Sequence, residues 1–311
     1  MERKKLLLLK PQEYEHDFDK AALKTLEGTP GLEKLAREFN KHAVERYYKL
    51  MYTGSYIKVK PSNFPDVYKI LEEACANLFL KDIPDLYLQW DYSINGFTTG
   101  SEKPLIVITS GAVDLLTHDE LLYVIGHEVG HIKSGHMLYH QMALVLPILG
   151  DVIGSLTLGI GSLISQGLEY SLLYWYRMSE LTADRAGFLA VQDRDVCLNA
   201  LMKLAGVPKT FFEKMNKDDF IEQARDFKSF DFDAVDKVGK TIMIMGQTHP
   251  WTVMRAHELL IWDDSGKYEE IVELHAKERI EDLEISCTKC GRKLKGTETF
   301  CGVCGEKVWK R

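Results

Sequence analysis

The spacing of apolar residues divides the chain into a helical beginning, a short strand-forming region and a second helical part. Over residues 1–55 and 66–80, apolar side chains recur at the three- and four-residue intervals of amphipathic helices. Short apolar runs at 86–88 and 105–108 predict two strands, and the Asn-Gly pair at 95–96 predicts a turn between them. The pattern therefore predicts a mainly helical protein with a small sheet.

A helix beginning at residue 118 is predicted from its capping signal. Thr117 and Glu120 have the spacing of a capping box, in which each side chain accepts a hydrogen bond from the other residue's backbone N–H. The helical pattern continues through two histidines, and we expect this helix to end near residue 142. Further helices are predicted over 170–192, 250–262 and 267–283.

Residues 143–168 are the least polar part of the chain, and Asp151 is the single charge between residues 143 and 167. A membrane-spanning helix needs about 20 such residues. Pro147, the glycines and the interior aspartate argue against one, because a charge at the bilayer centre costs roughly 2.5–3.5 kcal/mol. We expect a buried helical hairpin or a lid, and contact with a membrane through this segment is the alternative.

Charge and cysteine content limit the classes of function. The net charge of −7 argues against a nucleic-acid-binding protein, whose surface would be basic, so no nucleic acid is expected as a partner. The amino-terminal run of leucines is shorter than the apolar core of a secretion signal. Four of the six cysteines cluster near the carboxyl end, a distribution that suits metal binding in a reducing compartment. We therefore expect a cytoplasmic protein; the alternative is membrane association with a cytoplasmic active site.

The main candidate for chemistry is a His-Glu-x-x-His motif at residues 127–131, inside the predicted helix. Four residues advance a helix by about 400°, so His127 and His131 share one face and can bind the same zinc ion. Glu128 lies about 100° around the helix from His127, where it can hydrogen-bond a water on the metal instead of binding the metal. His136 follows five residues after the motif; helical rotation takes it off the zinc face, and we expect it to be structural.

A third ligand is expected from Glu180, which lies one helical turn before Asp184. Three protein ligands with an open position for water are the arrangement of a catalytic zinc. Asp184 could accept a hydrogen bond from the outer N–H of a zinc-bound histidine and so fix the orientation of the ring. From spacing alone, the alternative stays open that both carboxylates pair with Arg177 or Arg185 at the surface.

Five sequence elements occur in one order around the motif. They are a turn at 95–100, a strand at 106–111, the segment 119–121, the segment from Glu180 to Asp184, and Thr248-His249-Pro250 followed by Arg255. In this order they resemble the HtpX-like zinc metallopeptidases, peptidase family M48. The resemblance implies an α+β, mainly helical, zincin-like domain with a small sheet, and Glu180 as the third zinc ligand.

The resemblance also implies a zinc-dependent endopeptidase that acts on proteins or peptides. Glu128 would be the general base, which takes a proton from a zinc-activated water and passes it to the leaving amine. His249 and Arg255 are candidates for stabilising the oxyanion, although His249 could instead cap the helix that Pro250 begins. The strand at 105–109 is expected to be an edge strand that pairs with an extended substrate.

The four clustered cysteines predict a second metal site. Cys287, Cys290, Cys301 and Cys304 form two Cys-x2-Cys pairs, each followed by glycine, a pattern that resembles a zinc ribbon. A segment of about 25 residues cannot build a core alone, so the metal must supply its folding energy. Two zinc ions are therefore expected, one catalytic and one structural.

The expected domain organisation follows from these sites. A metallopeptidase domain is expected over 1–284, with a helical amino-terminal part at about 1–80 and a catalytic core at 81–262. The ribbon is expected over 286–311. An active endopeptidase is the leading hypothesis. The alternative is a catalytically silent or lidded protein that binds peptides in quality control, suggested by the apolar segment and by His249 as a plug.

Overall fold

The computed structural model describes residues 3–40, 45–143, 160–229, 251–276 and 284–306, except residues 288, 296, 297 and 299. These residues are mostly helical with a small mixed sheet, which confirms the predicted α+β, mainly helical fold. The α-helices are α1 Pro11–Tyr14, α2 Asp17–Glu27, α3 Leu32–Phe39, α4 Glu45–Ser55, α5 Pro65–Asn77, α6 Ser110–Leu115, α7 His118–Lys133, α8 Ile160–Val191, α9 Arg194–Leu204, α10 Lys217–Ser229, α11 Thr252–Asp264 and α12 Lys267–Ala276. A 3-10 helix spans Lys209–Lys214.

The main sheet has the strand order β1-β2-β4-β3. Its strands are β1 Ile57–Lys58, β2 Asp85–Gln89, β3 Gly96–Thr99 and β4 Leu105–Thr109. β2 and β4 pair in parallel, whereas β1 and β3 pair antiparallel on the two outer sides. β4 is thus an interior strand, and the prediction that 105–109 is an edge strand is wrong. Among the described strands the two edges are β1 and β3, and the four residues of β3 are too few to show an alternating pattern.

One hydrophobic core joins the sheet to the surrounding helices and to the first residues of the chain. Leu6, Leu9 and Tyr14 are buried in this core together with Tyr123 of α7 and Phe188 of α8. The amino-terminal part therefore packs directly against the helices that carry the predicted zinc ligands. It contributes to the same folded body instead of forming a separate one.

Helices α7 and α8 approach each other closely because small residues face each other between them. A Cβ atom on Gly126 would lie 2.5 Å from the Cβ of Ala190, and Gly130 faces Ala186 equally closely. Any side chain at these two glycines would push the helices apart. The close approach brings the histidines of α7 next to Glu180 on α8.

Helix α7 ends at Lys133, well before the predicted end near residue 142. Gly135 adopts a left-handed backbone with a φ of 72°, and residues 137–143 are helical again. The apolar segment 143–168 lies mostly outside the described residues, so the predicted hairpin or lid is not tested. Among the residues that are described, no helix combines the length and the apolar character needed to cross a membrane.

Candidate metal centre

The capping box at the start of α7 forms as predicted. The backbone N–H of Glu120 donates to Thr117 Oγ1 at 3.3 Å, and the backbone N–H of Thr117 donates to Glu120 Oε2 at 2.7 Å. Lys203 Nζ of α9 lies 2.7 Å from the same glutamate oxygen, and both side chains are buried. The start of α7 is therefore tied to α9, which fixes the position of the motif further along the helix.

His127, His131 and Glu180 converge in the interior between α7 and α8. The Nε2 atoms of the two histidines are 3.1 Å apart, and each lies 3.3 Å from an oxygen of Glu180. Ligands about 2.0–2.1 Å from zinc at tetrahedral angles lie roughly 3.3 Å apart, so this spacing suits a zinc ion. Glu180 is 1% exposed and faces the histidines. It therefore does not form the surface ion pair with an arginine that was the alternative.

Asp184 lies behind His127 and is held from three sides. Its Oδ1 is 2.9 Å from His127 Nδ1 and accepts a hydrogen bond from the Tyr123 hydroxyl at 2.8 Å. Arg255 donates through Nε and Nη2 to the two carboxylate oxygens, at 2.8 and 2.6 Å. A zinc ion on Nε2 leaves the ring proton on Nδ1, so Asp184 is placed to accept it and to hold the ring.

Buried charges around His127 control the protonation of the cluster. Burial lowers the pKa of His127, but hydrogen bonds to Asp184 and Glu180 outweigh burial and raise the pKa to about 9. Burial lowers the pKa of His131 to about 4, despite its contact with Glu180. Burial raises the pKa of Asp184, yet the charge and hydrogen bonds of Arg255 outweigh it and hold the pKa well below its usual range. Asp184 and Arg255 therefore form an ionised pair behind the ligands.

Glu128 lies beside the cluster and lines the same cavity. Thr98 Oγ1 of β3 donates a hydrogen bond to Glu128 Oε2 at 2.7 Å. Gly96 also faces this carboxylate, because a Cβ atom there would lie 3.3 Å from Oε1. The cavity has a volume of about 220 Å³, and its walls include His127, Glu128 and Glu180. The site thus combines three donors, a carboxylate that is not one of them, and room for small reactants.

His131 contacts His136, which the sequence predicts to be structural. His136 Nδ1 lies 2.8 Å from His131 Nδ1, and His136 Nε2 lies 3.2 Å from Asp19 Oδ2 of α2. Helical rotation takes His136 off the zinc face only if the helix is unbroken, whereas the chain turns at Gly135. A glycine directly before His136 was the available sequence signal, since glycine often ends a helix. Nothing in the sequence pointed to Asp19.

Of the two candidates for stabilising an oxyanion, His249 and Arg255, the structure describes only Arg255. His249 lies outside the described residues, so its predicted role is not tested. Arg255 is buried, lines the cavity and comes within 3.3 Å of His127 Nδ1, in addition to its two hydrogen bonds to Asp184. Its role in stabilising an oxyanion stays a prediction.

The four carboxyl-terminal cysteines form a second cluster beside the strands β5 Glu284–Ser286 and β6 Lys293–Lys295. Cys287 Sγ lies 3.5 Å from Cys304 Sγ, and Cys290 Sγ lies 3.6 Å from Cys301 Sγ. Thiolates about 2.3 Å from zinc at tetrahedral angles lie roughly 3.75 Å apart, so this spacing also suits zinc. The backbone N–H groups of Cys304 and Val303 lower the pKa of the Cys301 thiol.

Comparisons with known proteins identify relatives of the chain. The model of peptidase family M48 matches residues 61–263. The plastoglobule-localized metallopeptidase 48 of Arabidopsis thaliana chloroplasts is 32% identical over 267 residues, which are 85% of this chain and 76% of that protein. The protease HtpX homolog of Streptococcus uberis is 33% identical over 94 residues, which are 30% of this chain and 31% of that protein. No solved structure matches the chain.

The family match covers both helices that carry the converging donors, and the Arabidopsis metallopeptidase is similar over most of both chains. The HtpX proteases are similar over about a third of their length. The helical fold and the His-Glu-x-x-His motif on α7 are consistent with the family that these matches indicate. The chain therefore belongs to peptidase family M48, as an HtpX-like zinc metallopeptidase.

Proposed function

We propose that this metallopeptidase is an endopeptidase in which His127, His131 and Glu180 hold one zinc ion and Glu128 is the general base. The observation that supports it most is the convergence of these three buried donors next to a cavity that His127, Glu128 and Glu180 line. The substrates are proteins or peptides, as for a protease of this family. The roles of the individual residues follow from their positions.

The donor set suits a catalytic zinc ion. Two imidazole nitrogens and one carboxylate leave a fourth position open for water or substrate. When bound, zinc supplies Lewis acidity, which polarises a substrate carbonyl and lowers the pKa of water. His127 and His131 offer the lone pairs of Nε2, while Asp184 accepts the proton of His127 Nδ1 and keeps that ring in place.

Glu128 moves the proton in the proposed reaction. As general base it takes a proton from the attacking water and later passes it to the amine nitrogen of the leaving product. The hydrogen bond from Thr98 holds one carboxylate oxygen in advance, so the side chain needs little reordering during the reaction. Arg255 and His249 remain our candidates for stabilising the oxyanion, and the position of Arg255 in the cavity wall supports its candidacy.

Strand β3 is the proposed site for the substrate backbone, in place of β4. Among the described strands it is an edge of the sheet, and Thr98 links it to Glu128. An extended peptide that pairs with β3 would run past the cavity and bring a backbone carbonyl beside Glu128. Only an unfolded or flexible segment can pair in this way, so unfolded proteins are the expected substrates.

The carboxyl-terminal ribbon is proposed to hold a second, structural zinc ion. The spacing of the four sulfur atoms supports this proposal. The proposed division is a metallopeptidase domain at 1–284 and a ribbon at 286–311.

The cytoplasmic location of the protein also stays a prediction, with membrane association as its alternative. The Arabidopsis relative is named for plastoglobules, so fractionation of cells expressing this chain is the appropriate test.

Replacement of Glu128 by glutamine tests the proposed mechanism. We expect the full-length, zinc-loaded protein to cleave a fluorescently labelled unfolded protein. Glu128→Gln should lower the rate about 10²–10⁴-fold, the usual contribution of a general base, and leave the zinc content unchanged. Glu102→Gln, a matched change at an exposed position, should keep full activity.

Undiminished cleavage by Glu128→Gln would contradict the assignment of the base. A zinc-loaded wild type that binds unfolded protein without cleaving it would instead favour the silent, peptide-binding alternative.

A further inference from the structure

The zinc-facing histidine His131 has a buried chain of polar groups behind it that begins outside the family match. His131 Nδ1 lies 2.8 Å from His136 Nδ1, and His136 Nε2 lies 3.2 Å from Asp19 Oδ2. All three side chains are buried, and Asp19 is 0% exposed. Asp19 lies on α2, whereas the family match begins at residue 61. A residue of the amino-terminal part is thus connected to the metal centre.

The proton positions along this chain follow from the use of His131 Nε2 as a ligand. The proton of the His131 ring is then on Nδ1 and is donated to the lone pair of His136 Nδ1. His136 carries its own proton on Nε2 and donates it to Asp19. Every donor has an acceptor, and the chain ends on a carboxylate. His127 is also connected to a carboxylate, but without an intervening histidine, since its Nδ1 contacts Asp184 directly.

Thr182 holds Asp19 in position. The Thr182 hydroxyl donates to Asp19 Oδ2 at 2.5 Å and accepts the backbone N–H of His16 at 3.0 Å. Thr182 lies on α8 between Glu180 and Asp184. Glu180, Thr182 and Asp184 therefore all lie on α8. This one helix supplies the proposed third ligand, the residue that holds Asp19 and the hydrogen-bond partner of His127.

We propose that His136 and Asp19 are positioning residues that fix the tautomer and orientation of His131, so that helix α2 completes the zinc centre. The inference rests on the zinc site of the proposed function. Loss of such outer partners typically lowers metal affinity or activity by 10–100-fold, because the ligand ring is no longer oriented in advance. Neither residue lines the cavity, so substrate binding should not depend on them.

The same histidines permit one competing interpretation. Nitrogen atoms of His131, His136 and His140 lie within 4.8 Å of one another, so the cluster could hold an ion of its own. His140, however, stacks on Tyr176, and its Nε2 lies 2.7 Å from the Ser179 hydroxyl. These contacts favour the donor–acceptor chain from His131 through His136 to Asp19, which we call the relay, over a second ion.

The test measures zinc affinity at the helical centre of the full-length chain. Cys287→Ser with Cys290→Ser removes the ribbon site and gives the parent, and affinity is measured by competition with a chelator. Asp19→Ala and His136→Phe should each weaken zinc binding about 10–100-fold, with an unchanged KM for peptide at saturating zinc. Asp19→Asn keeps an oxygen that accepts from His136 and should recover most of the affinity.

Asp17→Ala is the matched control. Asp17 lies in the same first turn of α2 but is exposed, so this variant should bind zinc as tightly as the parent. An equal loss of affinity in Asp17→Ala would assign the effect to the helix start and overturn the relay. If Asp19→Ala does not fold, His136→Phe and Asp19→Asn carry the test.

The remaining outcomes separate this inference from the proposed function. A parent that binds no zinc would contradict the proposed site itself. Zinc binding and cleavage by the parent, with equal affinity in Asp19→Ala and His136→Phe, would overturn the relay alone. Two ions in the parent and one in His136→Phe would replace the relay by a metal site.

Discussion

The two candidate metal centres of this chain are supported in opposite ways. The helical centre of His127, His131 and Glu180 lies between tightly packed helices, and both histidines have hydrogen-bonded partners behind them. The cysteine centre has two short strands and one small apolar cluster, in which Leu294 packs with the cysteines themselves. Packing of the surrounding helices positions the donors of the helical centre, whereas the cysteine centre has few contacts other than those among its own residues.

This difference predicts two separate roles for the metal. At the helical centre the donors are brought together by the packing of α7 on α8, so zinc mainly adds reactivity. In the proposed ribbon the apolar cluster of the described residues is too small to offset the loss of chain entropy, so we expect zinc to supply most of the folding free energy. Three substitutions, taken from the largest expected effect to the smallest, test this contrast.

Cys287→Ser should have the largest effect, and it should be confined to the ribbon. Structural zinc contributes about 10–16 kcal/mol in small zinc-binding peptides, so loss of one thiolate should unfold the ribbon. Limited proteolysis should then cut the ribbon while the helical domain keeps its thermal unfolding temperature. Cys75→Ser, a matched change in the main core, should leave both zinc ions in place. Unfolding of the whole chain by Cys287→Ser would contradict the contrast.

Arg255→Ala should destabilise the helical domain by about 3–5 kcal/mol, because it removes the arginine that is hydrogen-bonded to both oxygens of the buried Asp184 carboxylate. Urea unfolding of the zinc-free protein would measure this loss. Arg255→Lys keeps the charge and should lose less. A stability equal to wild type in Arg255→Ala would show that the pair does not support the site as the distances suggest.

Gly126→Ala should cost about 1–3 kcal/mol, because the new methyl group would overlap Ala190 and separate α7 from α8. The compensating double variant, Gly126→Ala with Ala190→Gly, restores the space, and the two changes in helix propensity cancel. Thermal unfolding should therefore show one destabilised variant and one close to wild type. Equal destabilisation of both variants would count against close packing as the cause.

Local signals in the sequence predicted the catalytic helix well. The capping box placed the start of α7 at His118, and the spacing of four residues placed both histidines on one face. The strands at 86–88 and 105–108 are also predicted correctly, since short apolar runs bounded by turn residues are a strong local pattern. These features depend on neighbours within a few residues, which a sequence displays directly.

Features that depend on distant pairing could not be predicted in the same way. Strand order is set by contacts across the sheet, so the interior place of β4 and the edge place of β3 were missed. The partnership of Asp19 with His136 joins residues far apart in the chain, and it required the break at Gly135. The contact of His131 with His136, and of His136 with Asp19, is therefore visible only in the folded structure.

The most direct test of the helical centre is the zinc content per chain in the protein that lacks the ribbon site, with Cys287→Ser and Cys290→Ser. We predict one zinc ion per chain in this protein, one after the further change Glu128→Gln, and none after Glu180→Ala. A folded Glu180→Ala chain that keeps a full equivalent of zinc would contradict the claim that His127, His131 and Glu180 form one site.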